Sequence, residues 1–246
     1  MTHEERVGLA YEIAQRILDK YGDQIQAIAV YGSTAKNEDA AHSDLEMWVA
    51  TSEEFPKVGD VLTVYKGITI EISYAPVSKL LNVATQVDAS WPISAESLRS
   101  YALMFDRGNF SNRIQEAVVK VSADDMLKAA CERMVRTHEI VGKMRNAWER
   151  NDVYGIIGEA GGVAWSTAVM LAFLNRTYYT GNRGLFDMSK QFQVLPKDYA
   201  TLLDLALGIV TADRDQIYHA ALDLWENLQE LVRGEGIEWV KSEIEV

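Results

Sequence analysis

Ile25-Gln26-Ala27-Ile28-Ala29-Val30-Tyr31-Gly32-Ser33 and, after ten intervening residues, Asp44-Leu45-Glu46-Met47-Trp48-Val49 are the stretches on which the fold of this chain turns. The first is a mostly apolar run of strand length, which predicts a buried strand that delivers Gly32-Ser33 at its end. The second predicts another strand, carrying two acids at i and i+2. Side chains at that spacing leave one face of a strand, with Cα atoms about 6–7 Å apart. Two carboxylates so placed repel each other unless a cation lies between them, and magnesium commonly joins one or two carboxylates to substrate phosphates. Gly32 lets the backbone approach a phosphate closely, and the Ser33 hydroxyl with nearby N–H groups can bond its oxygens. The polar connection Thr34 to Ser43 then sets phosphate cradle and metal ligands side by side.

Outward from this pair, Thr2 and Glu5 have capping-box spacing, and Val7, Tyr11, Ala14, Ile17 and Leu18 recur at helical spacing behind them. Asp60 to Lys66 and Ile68 to Tyr74 form two β-rich runs around Lys66-Gly67, a predicted hairpin. Glu71, between Ile70 and Ile72, is the only acid in its run, and a lone carboxylate there is unfavourable without a partner. If its strand lies beside Asp44-Leu45-Glu46, three carboxylates converge. Pro76 breaks the pattern, a helix follows from Val77 to about Val87, and Ser100 to Phe105 reads as a further strand. After Asp106-Arg107-Gly108 the texture becomes helical. Met126 to Glu149 follows the capping cluster Ser122-Ala123-Asp124-Asp125, and Tyr154–Asn175, Tyr199–Val210 and Arg214–Gly234 complete the set. The expected fold class is α+β, a mixed-sheet domain over residues 1–122 followed by an all-helical bundle over residues 123–246.

With 48% hydrophobic and 24% charged residues the chain has the balance of a folded domain, which excludes disorder. Its 36 acidic against 24 basic residues give a net charge of −12, which disfavours long-range attraction to nucleic acid and suits a polycationic partner. Val163 to Leu174 is the longest strongly apolar stretch; Ser166 and Thr167 interrupt it and it falls short of the roughly 20 residues that span a bilayer, so no membrane partner is expected. One cysteine, Cys131, rules out an intramolecular disulfide framework. No apolar segment follows the N-terminal Met-Thr-His-Glu-Glu-Arg, and the expected location is the cytoplasm.

Gly-Ser followed by Asp-x-Glu is the signature of the DNA polymerase β-like nucleotidyltransferase superfamily, which this sequence resembles. Within it, Arg16-Ile17-Leu18-Asp19-Lys20-Tyr21-Gly22-Asp23, Ala29-Val30-Tyr31-Gly32-Ser33, Ser43-Asp44-Leu45-Glu46-Met47, Ser90-Trp91-Pro92 and Gly142-Lys143-Met144-Arg145-Asn146 are similar to the kanamycin (aminoglycoside 4′-O-) nucleotidyltransferases. The resemblance implies an N-terminal nucleotidyltransferase domain that uses Mg2+ and ATP or another nucleoside triphosphate, an aminoglycoside antibiotic as acceptor, and a homodimer with sites at its interface. It implies that Gly32, Ser33 and Lys36 bind triphosphate and that Asp44 and Glu46 hold the metal, with Glu71 as third acid. Glu139 matches the general base and Lys143 a phosphate-contacting lysine. These two stand four apart, the spacing of an ordinary helical ion pair. For Glu139 to serve as a base, its proton affinity is expected to rise and Lys143 to turn toward phosphate.

The departures are specific. Lys36 stands where the relatives have arginine, keeping the charge but losing the planar fork. Val135 and Arg136 occupy positions where they carry glutamates that hold drug amines, which puts the drug range in doubt. Gly155, Gly158, Gly161 and Gly162 lack a preceding strand and read as close helix packing rather than a phosphate loop. Trp48, Trp165, Trp225 and Trp239 read as core or interface. Two alternatives stay open: a nucleotidyltransferase acting on another acceptor, and a toxin–antitoxin-like regulatory chain, for which Arg133 with His138 is the supporting pair.

Overall fold

The computed structural model describes residues 1–56, 59–181, 183–241 and 243. Two compact units are present: residues 1–86 with 94–121, and residues 87–93 with 122–246.

The first unit is a five-stranded sheet in the order β3-β4-β2-β1-β5, formed by β1 (Ile25–Tyr31), β2 (Leu45–Thr51), β3 (Gly59–Tyr65), β4 (Ile68–Pro76) and β5 (Tyr101–Asp106). β2 and β4 run parallel while the other pairs are antiparallel, so the sheet is mixed as expected. Helix α1 (His3–Tyr21) begins at the Thr2–Glu5 capping box, both arms of which form. It buries Leu9, Ala10, Ala14 and Ile17 against Ile28, Val30, Leu45, Met47 and Ile70 on one face of the sheet. The opposite face, with Ala27, Ala29, Trp48 and Ala50, is covered by α3 (Val77–Thr85) and α5 (Phe110–Val118) through Leu80, Phe110 and Ile114. Two short turns, α2 (Gly32–Ala35) and α4 (Trp91–Ser94), complete the first half of the sequence.

Arg6 is buried on α1 and forms an ion pair with Asp39, while its Nη2 donates to the Ala40 carbonyl at 3.0 Å. His3 Nδ1 lies 2.6 Å from the same Asp39 carboxylate. These contacts fix the connection from Lys36 to Asp44, which loop chemistry alone would leave mobile.

The second unit contains α6 (Ala123–Glu149), α7 (Val153–Leu174), α8 (Leu185–Ser189), α9 (Tyr199–Ala206) and α10 (Arg214–Gly234). The Ser122 hydroxyl caps α6 by accepting the Asp125 N–H at 3.0 Å. Helix α9 stops short of the expected Val210 because Gly208 adopts φ +65° and the Ile209 N–H turns back to the Asp204 carbonyl. Helix α7 is 22 residues long, so the expectation that its apolar run is too short to cross a membrane does not hold by length and composition. Its most apolar window is 67% buried, against α6, α9 and α10 among others. Of the four glycines in α7, only Gly155 and Gly162 are tight, the first against the N-cap Asp152 carboxylate and Ala147 and the second against Ile140; a Cβ on Gly158 or Gly161 would meet nothing within 4 Å, so close packing does not account for those two.

Residues 87–93 pack with the helices, so the compact units do not divide at a single point near residue 122. Trp91 stacks on Phe173 and meets Tyr178 edge-on, the Tyr179 N–H donates to the Pro92 carbonyl, and the Arg133 guanidinium donates twice to the Ala89 carbonyl.

Candidate active site

The sheet register builds the site. Tyr31 on β1 is paired with Glu46 on β2, Glu46 with Glu71 on β4, and Glu71 with Leu62 on β3. Residues paired across a sheet share a face, and neighbouring strands lie roughly 4.8 Å apart. The carboxylates of Glu46 and Glu71 therefore leave the sheet side by side, on the face that carries Ala29 and Trp48. Asp44 precedes β2 instead of lying within it, because the strand begins at Leu45, yet its charge still reaches Glu46.

Gly32 follows β1 directly. It holds φ +68°, a region that favours glycine, and any Cβ there would collide with Glu46 Oε2. Backbone and carboxylate thus approach as closely as glycine alone permits. Ser33 follows in α2, and its carbonyl accepts the Glu38 N–H at 2.9 Å. Lys36 ends this turn, with Nζ 2.5 Å from Glu96 Oε1 and 3.4 Å from Glu38 Oε2.

Burial, and after it the charges of Asp44, Glu71 and Glu96, pushes the Glu46 carboxyl up from 4.5 to about 7; Lys36 opposes the rise. The Tyr31 phenol is pushed up as well, first by burial and then by Glu46 and Glu71. The site is a partly desolvated patch of excess negative charge, the condition a cation relieves. Among the described residues no three His, Cys, Asp or Glu side chains are grouped closely enough to hold a metal by themselves. The three acids therefore share one charged patch without forming a three-carboxylate cage. This leaves a fit to magnesium, which needs only one or two carboxylates when phosphates supply the remaining oxygens. Asp44 and Glu46 are such a pair, beside a glycine cradle that any Cβ would fill.

In the second unit, Glu139 and Lys143 lie on α6 and pair with each other, Oε1 to Nζ 2.8 Å, both exposed. The expectation that Lys143 turns away from Glu139 is therefore wrong for this structure. The Lys143 hydrogen bond and charge hold the Glu139 carboxyl below the usual range instead of raising it. One turn of helix brings the two within reach, and the i,i+4 spacing of opposite charges favours the pair. Val135 is exposed, and Arg136 pairs with Glu132 at 2.6 Å. Arg133 is committed to the Ala89 carbonyl, while His138 completes a triangle of rings with Trp225 and Trp239, centroids 6.0 and 5.8 Å away. Trp48 and Trp225 are buried, as a core role requires.

The sequence profile of the KNTase C-terminal domain matches residues 108–238, more than half of the chain. The chain belongs to that family. Among similar proteins to this KNTase-family chain are two described as aminoglycoside nucleotidyltransferase (4'), from Staphylococcus aureus and a Bacillus species. Each is 27% identical over 237 residues, which cover 96% of this chain and 93% of the relative. A nucleotidyltransferase-like protein from Exiguobacterium sibiricum 255-15 shares the fold, with a TM-score of 0.56 at 12% identity over 92% of this chain and 75% of its own. Two residues of the candidate site escaped the sequence. Tyr31 was legible as a strand residue beside Gly32 but not as the neighbour of Glu46, which only the register reveals. Glu96 sits in a 3-10 turn, Ala95–Leu98, where no periodicity marks it.

Proposed function

We propose that this chain is an aminoglycoside O-nucleotidyltransferase, moving a nucleoside monophosphate from ATP or another nucleoside triphosphate onto the 4′-hydroxyl of the drug. The observation that carries the reading is the row Glu46–Glu71 set against Gly32, in a KNTase-family chain whose relatives bear that activity in their names. Gly32, Ser33 and Lys36 hold the triphosphate. Asp44 and Glu46 would hold Mg2+ with Glu71 beside them, and the ion when bound supplies neutralisation of phosphate charge. Glu139 accepts the proton of the attacking hydroxyl. The hydroxyl oxygen bonds to the α-phosphorus as the bond to the bridging oxygen breaks in line, and pyrophosphate leaves. Lys143 gives a hydrogen bond to a phosphate oxygen, and release of its pairing with Glu139 lets that carboxylate gain basicity.

The reading includes a homodimer with its sites at the interface, and a cytoplasmic location where nucleotide is supplied. Val135 and the Arg136–Glu132 pair support a shift in drug range, because a cation in this place repels drug amines that a carboxylate would attract. Pyrophosphate release by the purified protein, with Mg2+ and ATP, tests the proposal directly. It is expected only on addition of an aminoglycoside, and release without drug, or none with any of a panel of drugs, would overturn it.

A further inference from the structure

Lysine is a less pre-organised phosphate ligand than arginine. Its point charge sits on four rotatable bonds and loses much rotamer freedom when held, whereas the arginine fork is pre-organised. A lysine does the same task well only if something seats its ammonium before the phosphate arrives.

Glu96 provides that seat. It comes from the turn Ala95–Leu98, 60 residues beyond Lys36, and that turn is itself tied down, since the Glu96 carbonyl accepts the N–H groups of Arg99 and Ser100, each at 2.8 Å. The Trp48 indole, on β2 two residues from Glu46, donates to the neighbouring Ser97 carbonyl at 3.1 Å, so the turn is pinned to the strand that carries the site acids. The Glu96 side chain is 7% exposed and that of Lys36 15%, whereas Glu38, the other carboxylate near the ammonium, is 62% exposed. The buried partner is the one that fixes position; the exposed one adds little.

Nor is Glu96 readily released. Removing one partner of a buried pair leaves an uncompensated charge, here in a patch that already holds Asp44, Glu46 and Glu71. Because an ammonium carries three donors, it can serve a carboxylate and a phosphate oxygen at once. From this geometry we infer that Glu96 is a positioning residue for nucleotide binding, acting through Lys36 by keeping its ammonium seated at the phosphate cradle both before and after the triphosphate binds. The inference rests on the proposed function, in which Lys36 contacts the triphosphate.

The test is equilibrium binding of a fluorescent ATP analogue with Mg2+ to the whole protein in four forms: native, Glu96→Gln, Lys36→Met and the double variant. Lys36→Met is expected to weaken binding at least tenfold and Glu96→Gln three- to tenfold, with aminoglycoside KM unchanged in Glu96→Gln. Once Lys36 is gone, Glu96→Gln should weaken binding no further, since a through-space charge effect would persist there and a positioning effect cannot. Native or tighter binding by Glu96→Gln, or undiminished weakening in the Lys36→Met background, overturns the inference while leaving the proposed function intact. Lys36→Met with native affinity instead removes Lys36 from the proposed site, and the inference with it. Should the single variants fail to fold, the exchanged pair Lys36→Glu/Glu96→Lys retains the ion pair. It should restore folding while binding nucleotide no better than one-tenth as tightly as the native chain, and native affinity in that protein would overturn the inference.

Discussion

Glu46→Gln tests the electrostatics of the site without nucleotide or drug. The native carboxyl is lifted from 4.5 to about 7, so between those values the folded protein holds a proton that the unfolded chain releases. Stability therefore falls as pH rises through this window: the contribution is full below pH 4.5, still largely present at pH 5 and lost by pH 8. At 1.36 kcal/mol per tenfold in proton affinity the full loss is about 3 kcal/mol. Glu46 is only partly enclosed, and solvent screening reduces this to roughly 1–2 kcal/mol. Glutamine keeps the shape and does not ionise. In chelator, Glu46→Gln should match the native protein at pH 5 and exceed it at pH 8 by about 1–2 kcal/mol, or roughly 2–8 °C in Tm for a chain of this size. Added Mg2+ should raise the native Tm at pH 8 and leave the variant unmoved, and the variant should transfer no nucleotide. Equal melting of the two proteins at both pH values, or a less stable variant at pH 8, would refute the claim that Glu46 is a partly buried acid whose charge is poorly compensated.

Glu139→Gln should preserve nucleotide and drug binding while lowering turnover about a hundredfold or more, the scale of a lost general base; unchanged turnover would reduce the Glu139–Lys143 contact to a surface ion pair. Kanamycin, tobramycin and amikacin should each gain a nucleotide by mass spectrometry, and gentamicin, which lacks the 4′-hydroxyl, should not; an adduct on gentamicin removes the 4′ assignment. Asp39→Ala strips the buried Arg6 of its partner and should lower stability by about 3–5 kcal/mol, measured by thermal or urea denaturation, with a shift under 1 kcal/mol contradicting the assigned burial.

What could be read from the sequence was what local pattern encodes. The apolar run Ile25–Tyr31, the capping box at Thr2 and the breaker at Lys66-Gly67 each act over a few residues, and the corresponding elements formed. The proximity of Glu71 to Glu46 could be stated only as a condition. It depends on β4 pairing parallel to β2 with β3 displaced to the edge, a choice made by the sheet as a whole. Glu96 left no trace because a single glutamate between Ala95 and Ser97 looks like any surface acid; only burial opposite Lys36 distinguishes it. The turning of Lys143 toward Glu139 was misjudged because the resemblance was weighed above helical spacing, which brings an i,i+4 pair of opposite charges together.

The excursion of residues 87–93 into the helical unit bears on how such a chain can be divided or inherited. A fragment beginning at Ser122 would lack Ala89, Trp91 and Pro92, leaving the Arg133 guanidinium without its carbonyl and the Phe173 ring without its stacking partner. A fragment ending at Val121 would carry Trp91 as an exposed indole on a loop. Either cut severs these contacts, so recombination that joined a foreign sheet to these helices at residue 122 would have to bring a matching Ser90-Trp91-Pro92 with it to keep them. A word of sequence in the first half is in this sense the property of the second, and the two halves are constrained to change together.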